Sequence, residues 1–220
     1  WTIFGIDPPV KELAGAIYIL GTQANARIEH VNIQGEAYDD AGFLFGYTVI
    51  NAIFYEGFIG ETPAPISGSF EVHHSQFKTV ASGAPIVNLQ DAEVVISHNR
   101  FDDVAYAIDG GDFSDSTITF ANNKVSAEQA GLLLYNLFAA TYESSTFVIM
   151  DNWFNGDTGP VVDAAFGEGN HCLFLNNKTQ SIKETGIFLG AGTANCFVVA
   201  DQTRIVDLGS DNMIIGKGNN

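Results

Sequence analysis

Positive charge is scarce in this chain: nine lysines and arginines stand against 26 aspartates and glutamates, a formal net charge of −17. Nucleic acid and anionic membrane surfaces both require a cationic face and are not the expected partners. Cations, cationic partners or plain solubility are what such a charge can serve. Cysteine is nearly absent too. Cys172 and Cys196 are too few for a disulfide framework, and without a close CxxC pair they do not read as a zinc site. They lie about one coil apart in the repeat described below, one residue out of phase, and are expected as two buried free thiols rather than a disulfide. No apolar run approaches the 18 or so residues of a membrane span. The chain opens at Trp1 with neither Met nor a basic segment ahead of an apolar core, which reads as a mature or excised segment. Also missing are a Ser-His-Asp arrangement, a phosphate loop and a dinucleotide fingerprint.

What the 220 residues do contain is hydrophobicity (46%) and glycine (23 residues), enough to bury a sizeable core and to argue against disorder. They also contain a repeat. The octets "FEVHHSQF" (70–77), "VVISHNRF" (94–101), "ITFANNKV" (118–125), "FVIMDNWF" (147–154), "CLFLNNKT" (172–179) and "FVVADQTR" (197–204) align on a polar sixth residue. That residue is Ser75, Asn99, Asn123, Asn152, Asn177 and Gln202, spaced by 24, 24, 29, 25 and 25. The first and third residues of every octet are apolar, the signature of a strand with one buried face. A second short strand, usually entered through Gly, follows in most repeats, as in "GAPIVNL" (83–89), "GLLLY" (131–135) and "GIFL" (186–189). A period of this length with several short strands and no amphipathic helix predicts an all-β parallel β-solenoid of about eight or nine coils. At about 4.8 Å per coil the rod is roughly 40 Å long. The column Ser75, Asn99, Asn123, Asn152, Asn177 and Gln202 is expected to form a hydrogen-bonded ladder, with Asn also tolerating the left-handed backbone of a sharp bend. An ordinary β-sandwich, with strands every 8 to 12 residues, does not account for the period.

These octets and the Gly-entered strand resemble the repeats of right-handed parallel β-helix proteins, the pectin lyase-like superfamily, over residues 27–216. The resemblance implies one domain over 1–220, alone or as a piece of a longer solenoid, with 1–26 as an N-terminal cap or first coil and "VKELAGA" (10–16) as capping segment. Members include polysaccharide lyases and hydrolases, tailspikes, adhesins and surface proteins without activity, so fold does not deliver function.

The residues offer several candidates for chemistry. Arg100, Lys124 and Lys178 share one octet column, interrupted by Trp153, and are candidates for binding an anionic sugar polymer with Trp153 as stacking platform; solvated side chains beside the ladder are the plainer reading. Arg100, Lys124 and Trp153 are the first residues to test for catalysis, since a lyase needs a base and a group that neutralises a uronate. A hydrolase needs paired carboxylates, and the densest acidic group is Asp102, Asp103, Asp109, Asp112 and Asp115. The resemblance to family glycosidases extends only to an isolated "DD". The loop "DGGDFSD" (109–115) presents Asp109, Asp112 and Asp115 as calcium ligands, calcium being the one cofactor considered, or else is a flexible polar turn. His74 and His98 stack one coil apart as candidate metal ligands without an obvious third. The outward residues Val148, Met150, Leu173, Leu175 and Val198 form an apolar patch that calls for a cover, either the loop 136–145 or another chain.

The expected function is an extracellular or cell-surface structural, assembly or adhesive β-helix, self-associating with an identical neighbour or into filaments, and without enzymatic activity. The alternatives are a lyase or hydrolase acting on an acidic polysaccharide and a trimeric, tailspike-type receptor binder. No membrane span is expected.

Overall fold

The computed structural model describes residues 13–37, 47–59, 62–135, 145–163, 171–180, 182–183, 185–191, 193–200 and 204–216. Among them there is no helix, and nineteen strands are joined into one continuous curled sheet. Apart from one short antiparallel pair, Phe58–Ile59 with Thr62–Pro63, the paired strands are parallel. Each strand pairs with the equivalent strand one coil on, so the chain winds into three faces.

The first face carries the octet strands. Gln23–Glu29, Ile66–His73, Ile86–Ser97, Thr117–Ala121, Thr146–Met150, His171–Leu175, Phe197–Val199 and Met213–Ile215 pair in that order. The second face begins just after each octet's bend and runs through Asn32–Gln34, Gln76–Lys78 and the first residues of Arg100–Ser114, Lys124–Tyr135 and Trp153–Asp163, ending in Lys178–Gln180. The third starts with Leu13–Gly21 and Val49–Ile59 and finishes with Ile187–Leu189 and Ile205–Asp207. Of the N-terminal segment expected as a cap, residues 10–12 lie outside the described residues. Residues 13–16 open the Leu13–Gly21 strand.

Period-two patterning decides which side chains turn inward. Phe70, Val72, Val94, Ile96, Ile118, Phe120, Phe147, Ile149, Cys172 and Phe174 are all buried, as the octets predict. Phe77 stacks on Phe101 at 4.9 Å between ring centroids, and Phe101, Phe120 and Phe154 continue the aromatic line at 5.9 and 6.2 Å. Each fully buried ring contributes roughly 1.5–3 kcal/mol of transfer free energy. The glycines that open the second strand make room for these rings. A Cβ on Gly83 would lie 2.5 Å from the Phe101 ring, and one on Gly131 2.5 Å from that of Phe154.

The sixth octet is out of phase with the expectation. Leu173 pairs with Phe197 and Phe174 with Val198, so this coil is 24 residues long, not 25. A one-residue slip exchanges the faces of a strand. Val198, expected outward in the apolar patch, is therefore fully buried, while Phe197 and Val199 take the outward positions and are half-buried. The same shift brings Cys196 into register with Cys172, and the two form a disulfide across the core, with Cα atoms 4.4 Å apart, in place of the two free thiols expected. Gln202, and all but Ser145 of the 136–145 loop expected as a cover, lie outside the described residues.

Candidate functional site

The polar ladder occupies the corner between the first two faces. Asn99 Oδ1 accepts the backbone N–H of Ser75, Asn123 Oδ1 that of Asn99 and Asn152 Oδ1 that of Asn123, each at 2.8 Å; Asn177 Oδ1 accepts that of Asn152 at 3.1 Å. Each amide also donates to a carbonyl of the preceding coil: Asn99 to Val72, Asn123 to Ile96, Asn152 to Phe120 and Asn177 to Ile149, at 2.7–2.9 Å. Ser75 Oγ extends the ladder to the Val31 N–H at 3.2 Å. A corner that exposes no sheet partner for these backbone groups thus satisfies them with side-chain amides.

The bend itself is made one residue earlier than expected. His30, His74, His98, Asn122, Asp151 and Asn176 have φ between 50° and 58°, the left-handed region that Asn, Asp and His enter most readily among residues with a side chain. The ladder residues are not among those with positive φ. Because the bending residues are exposed, their side chains form a row along the outside of the corner. His30 and His74 stack at 5.4 Å, His74 and His98 pack at 5.1 Å, and Asn176 Nδ2 donates to Asp151 Oδ1 at 2.6 Å.

On the other side of the ladder, pairing places Gln76, Arg100, Lys124, Trp153 and Lys178 in a single column. The Lys124 ammonium sits 4.7 Å from the Trp153 ring centroid, so one ring face already holds a cation, and Trp153 Nε1 donates to Gln180 Oε1 at 3.2 Å. Arg100 Nε pairs with Asp102 Oδ2 at 2.5 Å, and Gln76 Nε2 donates to the same oxygen at 3.2 Å.

Between the two rows lies an open groove of about 910 Å³ with the Asn ladder as its floor. It runs along the solenoid axis over five consecutive coils, from His74 to Asn176. At about 4.8 Å per coil that is about 19 Å of continuous contact line. Among the described residues, Arg100, Lys124 and Lys178 line it, with Asp151 as the one carboxylate. In a chain with nine cations and 26 acidic residues, this is a local reversal of charge.

The acidic residues singled out in the sequence fall elsewhere. Asp109 to Ser114 belong to the Arg100–Ser114 strand, so "DGGDFSD" is not the loop expected; Asp112 is buried. Asp103, Asp112 and Asp115 have left-handed backbone, with φ of 56°, 61° and 47°, matched one coil earlier by Thr79, Asn88 and Asp91 at 52°, 64° and 52°. Their spacing follows the left-handed positions of one coil. Among the described residues no group of three or more His, Cys, Asp or Glu side chains is placed to hold a metal ion. His30 is the third imidazole missing from the sequence reading of His74 and His98, but the three rings stack in file and do not converge on a point. It was hidden because the coil between His30 and His74 is 44 residues long and carries Val31, not Asn, at the ladder position; Ile28 pairing with Val72 reveals it.

A smaller hollow of about 410 Å³ lies among Asp103, Ser126, Glu128, Gln129, Asp157 and Lys183. Each of its carboxylates is engaged. Thr79 Oγ1 donates to Asp103 at 3.2 Å, the Tyr47 hydroxyl to Glu128 at 2.7 Å, and Lys183 pairs with Asp157 at 2.5 Å. Burial and the bond to Glu128 hold the Tyr47 phenol far above its usual range, so it remains a donor. On the third face, burial raises Glu56 to about 7.

Outside the first face, Val148 pairs with Leu173 and Met150 with Leu175, all half-buried, and Phe197 and Val199 prolong the strip in place of Val198. No helix among the described residues is long and apolar enough to cross a membrane.

No curated protein and no solved structure was found to match the chain. Residues 15–203, however, match the family model described as the right handed beta helix region. With the wound parallel sheet and its corner ladder, this makes the chain a member of the right-handed parallel β-helix family.

Proposed function

We propose that this chain is an adhesive β-helix of a cell surface or extracellular matrix, and that its corner groove binds a strand of acidic polysaccharide laid along the coil axis. The observation that carries the reading is the local charge: among the described residues, Arg100, Lys124 and Lys178 line the groove with Asp151 as the one carboxylate, in a chain that is strongly acidic as a whole. A linear polymer suits a site in which each coil offers one position of the same column, and Trp153 adds an aromatic surface of the kind sugars stack on. The Cys172–Cys196 disulfide supports an oxidising compartment outside the cytosol. Binding is favoured over cleavage because Arg100 is engaged by Asp102 and Lys124 by Trp153, and because the carboxylates of the smaller hollow already have partners. The half-buried apolar strip around Val148, Met150, Leu173 and Leu175 supports a second role in assembly with a neighbour.

Affinity electrophoresis in gels containing pectate, alginate or hyaluronan tests the reading, with neutral dextran as control. Retardation by at least one acidic polymer, weakened in the Arg100→Ala/Lys178→Ala variant, is expected. Unsaturated products or new reducing ends in the same incubations overturn the non-catalytic part.

A further inference from the structure

The bend does not require histidine. Asn122, Asp151 and Asn176 make the same turn in neighbouring coils with φ of 52–56°, yet three consecutive coils use His30, His74 and His98. The three rings are exposed and stand in file, 5.4 and 5.1 Å apart, and His74 and His98 line the groove directly. Imidazole is the side-chain type suited to a change of charge near physiological pH.

Resting on the glycan reading above, we propose that this imidazole row makes the groove's hold on an acidic chain proton-dependent, tightening when the row is charged and relaxing when it is neutral. The groups around the row decide how it charges. Beside it on the first face stand Glu29, Glu71 and His73, with Arg27 paired to both glutamates. His73 is held by Glu71 at 3.1 Å and Ser97 at 2.7 Å, its ring lies 6.4 Å from that of His74, and Ser97 Oγ also meets His98 Nδ1 at 3.2 Å. Across the groove stand Arg100 and Lys124, and farther up the column, beyond Asn122, stands Asp151. An anionic chain laid in the groove passes His74 and His98, with His30 next in file, and an opposite charge beside an imidazole favours its protonated form. Binding therefore takes up protons, and by linkage a lower pH tightens binding.

The test uses dextran sulfate, whose charge is constant over the range, beside pectate. Affinity is measured at about pH 5.5 and about pH 8 for the native chain and for H30N/H74N/H98N, in which Asn takes a bend it already makes in adjacent coils. A native affinity about tenfold or more tighter at the lower pH is expected, with the ratio falling below about twofold in the variant. A calorimetric measurement on the native chain, repeated in buffers of different ionisation heat, should independently give net proton uptake near neutrality. Binding that ignores pH, a pH ratio that survives in the variant, or zero proton uptake overturns the inference while leaving the glycan reading in place. Failure to bind either polymer at both pH values overturns both.

Discussion

Asn123 Oδ1 accepts the backbone N–H of Asn99, 24 residues earlier in the chain, at 2.8 Å, and the same amide donates to Ile96 O at 2.9 Å. One side chain thus fastens one coil to the next at a corner where the sheet ladder is interrupted. Asn123 is buried, and its removal takes the partners from the Asn99 N–H and the Ile96 carbonyl. Asn123→Ala should cost about 3 kcal/mol. Asn122→Ala, next to it but exposed, loses only the ease of the left-handed bend and should cost about 1 kcal/mol. Urea titrations of the two variants check the order, and an Asn122 variant less stable than the Asn123 variant contradicts the assignment of ladder and bend.

Much of this was legible in the sequence, because a solenoid repeats its constraints. The ladder from Ser75 to Asn177 and ten of the twelve inward apolar residues follow from periodicity alone. What failed were matters of phase. Anchoring the last octet on Gln202 put Val198 outside and separated the cysteines by a residue, although pairing of Leu173 with Phe197 shows a 24-residue coil. The left-handed residue was assigned to the ladder because Asn suits both roles, and only φ distinguishes them. The acidic group reads as a ligand cluster because three left-handed backbone positions of one coil, Asp103, Asp112 and Asp115, look like a single loop in one dimension. The groove itself was half legible. The cationic column was visible, and so were His74 and His98 of the facing row, but His30 was not, since it lies beyond a 44-residue coil.

The Cys172–Cys196 bond closes a loop of sequence separation 24 and joins two adjacent coils inside the core. On chain-entropy grounds it should contribute about 3 kcal/mol. The Cys172→Ala/Cys196→Ala variant should unfold at correspondingly lower urea. Mass spectrometry of the native chain should show no free thiol after unfolding without reductant; two alkylatable thiols contradict the bond.

Glu56 supplies a pH dependence with a definite sign. Its usual value of 4.5 is raised to about 7 by burial on the third face, where it pairs with Leu20 and Val87. Below 4.5 the carboxyl is protonated in both folded and unfolded chains, and no penalty arises. Between 4.5 and 7 the folded chain binds the extra proton, so this group's contribution to stability falls as pH rises through that window. Glu56→Gln should flatten that part of the stability profile and gain most above neutrality. Melting temperatures across the window check it, and a Gln variant that loses stability at alkaline pH reverses the assigned sign.

The groove is tested most directly by its own tryptophan. Trp1 and Trp153 are the chain's two tryptophans, so Trp1→Phe leaves Trp153 as sole reporter between Lys124 and Lys178. Titration with oligogalacturonate near pH 6 should change Trp153 emission saturably, with a dissociation constant below about 1 mM, equivalent to roughly 4 kcal/mol of binding. The change should weaken at least about tenfold in the added Arg100→Ala/Lys178→Ala background, as loss of two charge-assisted contacts requires. Emission that stays constant while the polymer is bound, or a response unaffected by removing both cations, places the glycan somewhere other than this groove.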